Sequence, residues 1–235
     1  MVGILYLIPT SLSDSPLRQI LPDGNADIVS QLKVFIVENI RTARRFLKQI
    51  DQNINIDSLQ FFELNQHTDR TQIASYLEPL KSGQDIGIIS EAGCPAIADP
   101  GAEIVAIAQK QGIKVVPLVG PSSILLSLMA SGFNGQNFAF NGYLPIEKNA
   151  RTQKLKMLEK RIYEESQTQI FIETPYRNMQ LLDELFKTLQ PQTQLCIAAD
   201  ITAATEFIRT KKIAEWKKNP PTNLHKRPCI FLIYK

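Results

Sequence analysis

The stretch DIGIISEAGCPAIADPGAEIVAIAQKQGIKVVPLVGPSS, residues 85–123, decides the fold. It contains an apolar strand pattern at 86–89, a loop rich in Gly and Pro, a helix pattern ending at Gly112, a strand pattern at 114–118 and a second Gly-Pro loop. This order predicts a parallel βαβ unit. Gly and Pro can simply end strands and cap helices. Two such loops, both at the carboxyl ends of parallel strands, favour a ligand site instead.

Composition narrows the class of protein. The 235 residues, 44% hydrophobic and 21% charged, suit one large or two ordinary globular domains. No stretch approaches the roughly 18 apolar residues of a membrane span, so we expect no membrane partner. Three cysteines without metal-ligand spacing, Cys94, Cys196 and Cys229, indicate a reducing cytoplasm and no metal site. The net charge of +3 neither requires nor excludes nucleic acid.

The rest of the chain alternates the same kinds of element. The segment 13–25, with Pro16, Pro22 and Gly24, predicts an irregular loop, and the aromatic-rich segment 136–143 suits a strand with an antiparallel partner. We predict strands at 3–8, 33–37, 57–64, 86–89, 114–118, 136–143, 169–172, 194–199, 207–209 and 228–234, and helices at 41–50, 71–81, after Pro100, 122–131, 150–165, 176–189 and 211–217.

A change near residue 119 in the pattern of the loops and strands predicts two α/β domains. We expect residues 1–118 to form an N-terminal α/β domain whose sheet is mostly parallel with flanking helices. Residues 119–235 are expected to form a C-terminal α/β domain with a mixed sheet. A ligand cleft between the two domains is then expected, since such boundaries commonly hold cofactors.

Six motifs, spread in order over nearly the whole chain, carry a resemblance to a known family. They are LYLIPT at 5–10, the pair Glu38 and Arg41, SEAGCPAIADPG at 90–101, VPLVGPSS at 116–123, GYLP at 142–145 and FIETPYR at 171–177. Together they resemble the tetrapyrrole methylase superfamily, the class III S-adenosylmethionine-dependent methyltransferases. The resemblance is greatest to the branch that methylates a ribose 2′-hydroxyl of 16S ribosomal RNA. It implies a cytoplasmic, homodimeric methyltransferase that uses S-adenosylmethionine.

The resemblance also implies where the methyl donor binds. In this superfamily the donor lies folded between the domains, held largely by backbone groups, which suits small, Gly-rich loops. By this resemblance Pro9, Gly93, Cys94, Pro95, Ile97, Ser122 and Ser123 line its methionine part, and Thr174 and Ala199 approach its adenosine.

Three carboxylates, Glu38, Glu91 and Glu173, fall nearest the expected cleft. A hydroxyl acceptor benefits from a base, so we interpret them as catalytic candidates, although each also suits a helix start or an ion pair. Asp99 is interpreted as the cap of the helix after Pro100.

The departures from the branch bear on the acceptor. Ala199 and Ala203 stand where the branch has basic residues, so this segment is expected to contact RNA phosphates weakly. The basic helix at 41–48 either holds an acidic substrate or is a solvated face. RNA is the leading acceptor. The alternatives are a small-molecule or tetrapyrrole acceptor, or a donor-binding protein without catalysis.

Overall fold

The computed structural model describes residues 2–235, which form two compact units. The first unit runs to Ser122 and the second from Ser123 to Lys235, so the boundary lies close to the division predicted after residue 118. Each unit contains one five-stranded sheet with flanking helices, the first parallel and the second mixed. The predicted fold class is therefore confirmed. Among the described residues, no helix combines the length and hydropathy of a membrane crossing.

The sheet of the first unit has the strand order β3-β2-β4-β1-β5, and all its pairings are parallel. β2 and β4 are buried at every position, which is why they read as continuous apolar runs. The strands are β1 (Leu5–Ile8), β2 (Val34–Val37), β3 (Gln60–Glu63), β4 (Ile86–Ile89) and β5 (Val115–Pro117), and the helices are α1 (Leu17–Ile20), α2 (Asp23–Gln31), α3 (Ile40–Ile50), α4 (Glu78–Lys81) and α5 (Ala102–Lys110), with 3-10 helices at Ile56–Ser58 and Arg70–Leu77.

Two predictions for this unit are wrong, and proline explains both. The segment 13–25, predicted as an irregular loop, contains α1 and the start of α2. Pro16 and Pro22 are the cap residues of these helices, a position where the missing N–H costs nothing. The predicted helix 71–81 is a 3-10 helix followed by α4, because Pro79 lies at the start of α4 and cannot continue the preceding hydrogen-bond ladder.

The sheet of the second unit has the order β6-β7-β10-β8-β9. β6 and β7 pair in parallel, so the antiparallel partner predicted for 136–143 is wrong. Aromatic content does not encode strand direction, and the 17-residue α7 is long enough for a parallel crossover. The elements are α6 (Ser123–Ser131), β6 (Phe138–Tyr143), α7 (Lys148–Glu164), β7 (Thr168–Ile172), α8 (Asn178–Thr188), β8 (Gln194–Ala199), β9 (Phe207–Lys212), α9 (Ile213–Lys218) and β10 (Cys229–Tyr234).

A buried ion pair joins α7 and α8. Arg151 donates to both carboxylate oxygens of Glu184, with Nη2 to Oε1 at 2.5 Å, and its Nη1 also donates to the Pro145 carbonyl. The Arg151 side chain is only 2% exposed. The hydrogen bonds from Arg151 lower the pKa of Glu184, so both groups stay charged inside the unit.

Glu184→Leu should therefore destabilise the second unit strongly, because it leaves the Arg151 charge buried without a partner, at a cost of about 3–5 kcal/mol. Urea unfolding measures this cost. The matched control is Glu164→Leu, since Glu164 pairs with Lys160 at an exposed site and should contribute less than about 1 kcal/mol. A Glu184→Leu loss no larger than that of the control would contradict the prediction.

Candidate functional site

The loops that follow β1 and β4 are hydrogen-bonded to each other at the carboxyl ends of the parallel strands. The Thr10 backbone N–H donates to the Gly93 carbonyl at 2.9 Å, and Thr10 Oγ1 donates to the Ser90 carbonyl at 3.2 Å. Ser90 Oγ also donates to the Gly93 carbonyl, at 2.7 Å. Thr10, Ser90 and Gly93 are all buried, so these bonds are shielded from water.

The loop after β5 packs against the loop after β1 and accepts a hydrogen bond from the loop after β4. A Cβ on Gly120 would lie 2.2 Å from Pro9 Cγ, so only glycine allows this approach. Cys94 Sγ donates to the Pro121 carbonyl at 3.5 Å. Burial raises the pKa of the Cys94 thiol, which therefore stays protonated and is a hydrogen-bond donor at neutral pH. The three strand-end loops form one connected structure.

The loop after β4 has an unusual backbone. Gly93 has φ +73°, and two residues that are not glycine, Ala96 and Ala98, have φ +65° and +60°. Left-handed alanines are costly and persist where the surroundings enforce them, often at ligand sites. A backbone with alternating sign of φ also turns successive N–H groups toward one concave side, which suits an anionic group.

The predicted donor residues fall into two sets. Those of the first unit lie on the three connected loops: Pro9 after β1, Gly93, Cys94, Pro95 and Ile97 after β4, and Ser122 after β5.

In the second unit, Ser123 begins α6, Thr174 follows β7 and Ala199 ends β8. Since β7 and β8 are both antiparallel to β10, Thr174 and Ala199 lie at the same edge of the mixed sheet, although β10 separates them.

A cavity of about 700 Å³ opens in the first unit, at the carboxyl ends of the parallel strands. Four carboxylates line it: Glu38 after β2, Glu91 and Asp99 on the loop between β4 and α5, and Glu103 at the start of α5. The polar loop after β3 supplies a further part of the lining, with Asn65, Gln66, His67 and Thr68, and Arg70 follows at the start of the next 3-10 helix. Within residues 2–235, no group of His, Cys, Asp or Glu is arranged to hold a metal ion.

The cavity changes the acidity of its carboxyl groups. Burial, followed by the charges of Glu38 and Glu91, raises the pKa of Asp99 from 3.8 to about 6. Burial and the Glu91 charge likewise raise the pKa of Glu38. Glu91 Oε1 accepts a 2.5 Å hydrogen bond from Thr42 Oγ1, so α3 holds this carboxylate in place. Carboxyl groups whose pKa is raised in this way can accept a proton near neutral pH.

Asp99 does not cap the helix, contrary to the sequence-based interpretation. The N-cap of α5 is Gly101, and no side chain bonds there. Asp99 Oδ2 is buried and has no hydrogen-bond partner among the described residues. Asp99 and Arg70 were absent from the predicted site, although Asp99 lies inside the motif at 90–101 that carried the family resemblance.

Glu173 lies in the second unit and is held by its neighbours. Its Oε1 accepts from the Thr174 backbone N–H at 2.6 Å and from Arg177 Nε and Nη2 at 2.9 and 2.7 Å. This geometry supports the ion-pair interpretation of Glu173, and its catalytic role stays a prediction.

Comparison with solved structures identifies the class of fold. The chain is similar to the methyltransferase CobJ, with a TM-score of 0.65 and 11% identity over 100% of this chain and 95% of that one. It is also similar to the cobalt precorrin-4 methyltransferase CbiF, with a TM-score of 0.62 and 11% identity over 98% and 94%. The fold is therefore that of the tetrapyrrole methylases.

Sequence relatives identify the family. The chain is 32% identical to "Ribosomal RNA small subunit methyltransferase I" of Vibrio cholerae over 90% of its own length and 69% of the relative's. It is also 32% identical to the protein of that name from Pasteurella multocida, over 99% and 79%. Comparison with models of protein families gives no match. The chain belongs to the ribosomal RNA small subunit methyltransferase I family, which confirms the predicted resemblance.

The raised pKa of Asp99 predicts a pH-dependent effect of Asp99→Asn. The folded protein holds the Asp99 proton up to about pH 6, whereas an ordinary aspartate releases it near 3.8. The ionised form thus destabilises the fold above pH 6. Asparagine, which resembles the protonated form, should raise the free energy of unfolding at pH 8, and this gain should fade as the pH falls toward 4.

Urea unfolding between pH 4 and 8 measures this effect. Asp69→Asn is the control, because hydrogen bonds from Thr71 lower the pKa of Asp69 and its ionised form is the stabilised one. A gain for Asp99→Asn that does not change with pH would contradict the prediction.

Proposed function

We propose that this protein transfers a methyl group from S-adenosylmethionine to a ribose 2′-hydroxyl of small-subunit ribosomal RNA. The observation that carries the proposal is the family membership, because relatives aligned over nearly the whole chain are named for methylating this RNA. The acid-lined cavity at the edge of the parallel sheet adds a site with suitable chemistry. By the resemblance, we also propose that the protein acts in the cytoplasm as a homodimer.

The connected loops of the first unit are the proposed holders of the donor's methionine part. When bound, S-adenosylmethionine supplies a methyl group on a positively charged sulfur. The left-handed loop that starts at Gly93 exposes backbone groups and suits the carboxylate of a methionine moiety. Pro9 follows β1, the strand next to β4, and Ser122 follows β5, on the far side of β1. Ser123, Thr174 and Ala199 of the second unit remain our candidates for contacts from that unit.

The carboxylates of the cavity are the proposed proton acceptors. A hydroxyl is a weak nucleophile, and its proton must leave as the new O–C bond forms. Asp99, with a pKa of about 6, is a stronger base than an ordinary carboxylate yet is mostly ionised at pH 7.5. Glu38 and Glu91 surround it with negative charge, and Thr42 fixes Glu91. Positioning the hydroxyl against Asp99 supplies the rest of the rate.

The two alternative functions have less support. A tetrapyrrole or other small-molecule acceptor would fit a cavity of about 700 Å³, and one structural neighbour is named for such an acceptor. The sequence relatives are much more similar, and their names specify ribosomal RNA. A donor-binding protein without catalysis would not need the tuned carboxylates.

Labelled methyl transfer tests the proposal. Small ribosomal subunits or free 16S RNA should become labelled from S-adenosylmethionine, and nuclease digestion should release a 2′-O-methylated nucleoside. Asp99→Asn and Glu38→Gln should lower kcat by about 100-fold, because each removes a proton-accepting group. Glu78→Gln, at an exposed residue paired with Lys81, is the control and should leave kcat unchanged.

Three outcomes would contradict this proposal. Label in a small-molecule fraction would favour the tetrapyrrole alternative. Donor binding without transfer to any RNA would favour the non-catalytic alternative. Full activity in both carboxylate variants would remove the proposed role of the cavity.

A further inference from the structure

One face of α3 concentrates positive charge. Arg41, Arg44, Arg45 and Lys48 are all exposed, and since a helix advances by about 100° per residue they fall within an arc of about 100°. We call these four residues the basic face. The opposite side of α3 packs into the core through Ala43, Phe46 and Leu47.

The basic face is not neutralised by the protein. None of the ion pairs found in residues 2–235 involves any of its four residues. Arg44 lies over the Phe61 ring at 5.5 Å, and Lys48 Nζ donates to the Gln52 carbonyl at 2.7 Å. Neither contact removes a charge.

One of these charges, that of Arg41, opposes the stability of the helix, whereas Lys48 lies in the last turn, where the helix dipole favours a cation. The first turn of α3 contains no acidic residue, and its second residue is Arg41, at a position where the helix dipole disfavours a cation. Asn39 offsets part of this cost by accepting the backbone N–H groups of Arg41 and Thr42. An uncompensated cation at a helix start, as Arg41 is, is better explained by a bound anion than by folding.

The basic face is continuous with the candidate site. A cavity of about 140 Å³ is lined by Thr42 and Arg45 together with Glu91, and one of about 540 Å³ is lined by Lys48 and Arg18. The same helix therefore carries the cations and, through the hydrogen bond from Thr42, holds a carboxylate of the acid-lined cavity.

We propose that the basic face binds phosphates of the RNA substrate and thereby presents a ribose hydroxyl to the acid-lined cavity. The inference rests on the proposed function and deepens it. Arginine forks match phosphate oxygens in pairs, whereas the neighbouring carboxylates repel phosphate and admit a neutral hydroxyl. It also accounts for Ala199 and Ala203, since phosphate contacts made by α3 do not require basic residues at those positions.

The test compares two triple variants of the full chain. Arg41→Gln/Arg45→Gln/Lys48→Gln removes three charges from the basic face. Lys33→Gln/Lys110→Gln/Lys114→Gln, the matched control, removes three exposed charges from the same unit. Lys33 and Lys114 precede β2 and β5 and Lys110 ends α5, so all three lie at the amino-terminal edge of the sheet, opposite the candidate site.

Binding of a 16S RNA fragment is measured at several salt concentrations, together with the affinity for S-adenosylhomocysteine. The basic-face variant should bind RNA at least tenfold more weakly at physiological salt. The slope of log K against log salt should become shallower by about 2, since each lost phosphate contact removes about 0.7. The control should bind RNA as the unaltered protein does, and both variants should keep their affinity for S-adenosylhomocysteine, which reports an intact fold.

An Arg41→Lys/Arg45→Lys variant keeps the charges but loses the paired donors, so it should keep the salt slope and bind RNA with an affinity between those of the unaltered protein and the basic-face variant. Equal losses in the basic-face variant and the control would overturn the inference, as would an unchanged salt slope in the basic-face variant. If the unaltered protein methylates ribosomal RNA and the basic-face variant does so with the same kcat/KM, the inference fails while the proposed function stands. If the unaltered protein neither binds nor methylates RNA, both fail.

Discussion

The close approach of Gly120 to Pro9 is the constraint on which the candidate site depends. β1 lies between β4 and β5, so the loops after these three strands leave the same edge of the sheet as neighbours. They become one structure because Gly120 has no Cβ to collide with Pro9, and because the Gly93 carbonyl accepts from both Thr10 and Ser90. A rigid, largely backbone-lined edge of this kind can hold a flexible ligand without many charged side chains.

Helix α3 contacts a carboxylate of the acid-lined cavity and also carries the basic face. Its buried side fixes it against the sheet, its Thr42 holds Glu91, and its exposed side carries the basic face. Burial and like charge keep Asp99, in the lining of the neighbouring cavity, a stronger base than usual. Positive charge outside and clustered carboxylates inside would separate the phosphates of a nucleic acid from its reacting hydroxyl.

Much of the fold could be predicted from the sequence, and the predictions that were wrong have physical causes. β4 and β8 were predicted at their observed bounds because strands buried at every position, or at every position but the first, give nearly continuous apolar runs. The segment 13–25 was misjudged because proline signals a helix start as well as a loop. Strand direction in β6 and the acidity of Asp99 depend on partners distant in sequence, which local patterns do not contain.

The central claim, that the connected strand-end loops hold the methyl donor, is tested most directly by the calorimetric affinity of Gly93→Val for S-adenosylhomocysteine. Gly93 has φ +73°, and an added Cβ would lie 3.0 Å from Leu12 Cδ2 and 3.4 Å from the Pro121 carbonyl oxygen. Gly112→Val is the matched control, because Gly112 has φ +68° but no atom within 4 Å of an added Cβ. We predict that Gly93→Val binds at least tenfold more weakly, about 1.4 kcal/mol, while Gly112→Val binds normally. Unchanged affinity in a folded Gly93→Val protein would contradict the claim.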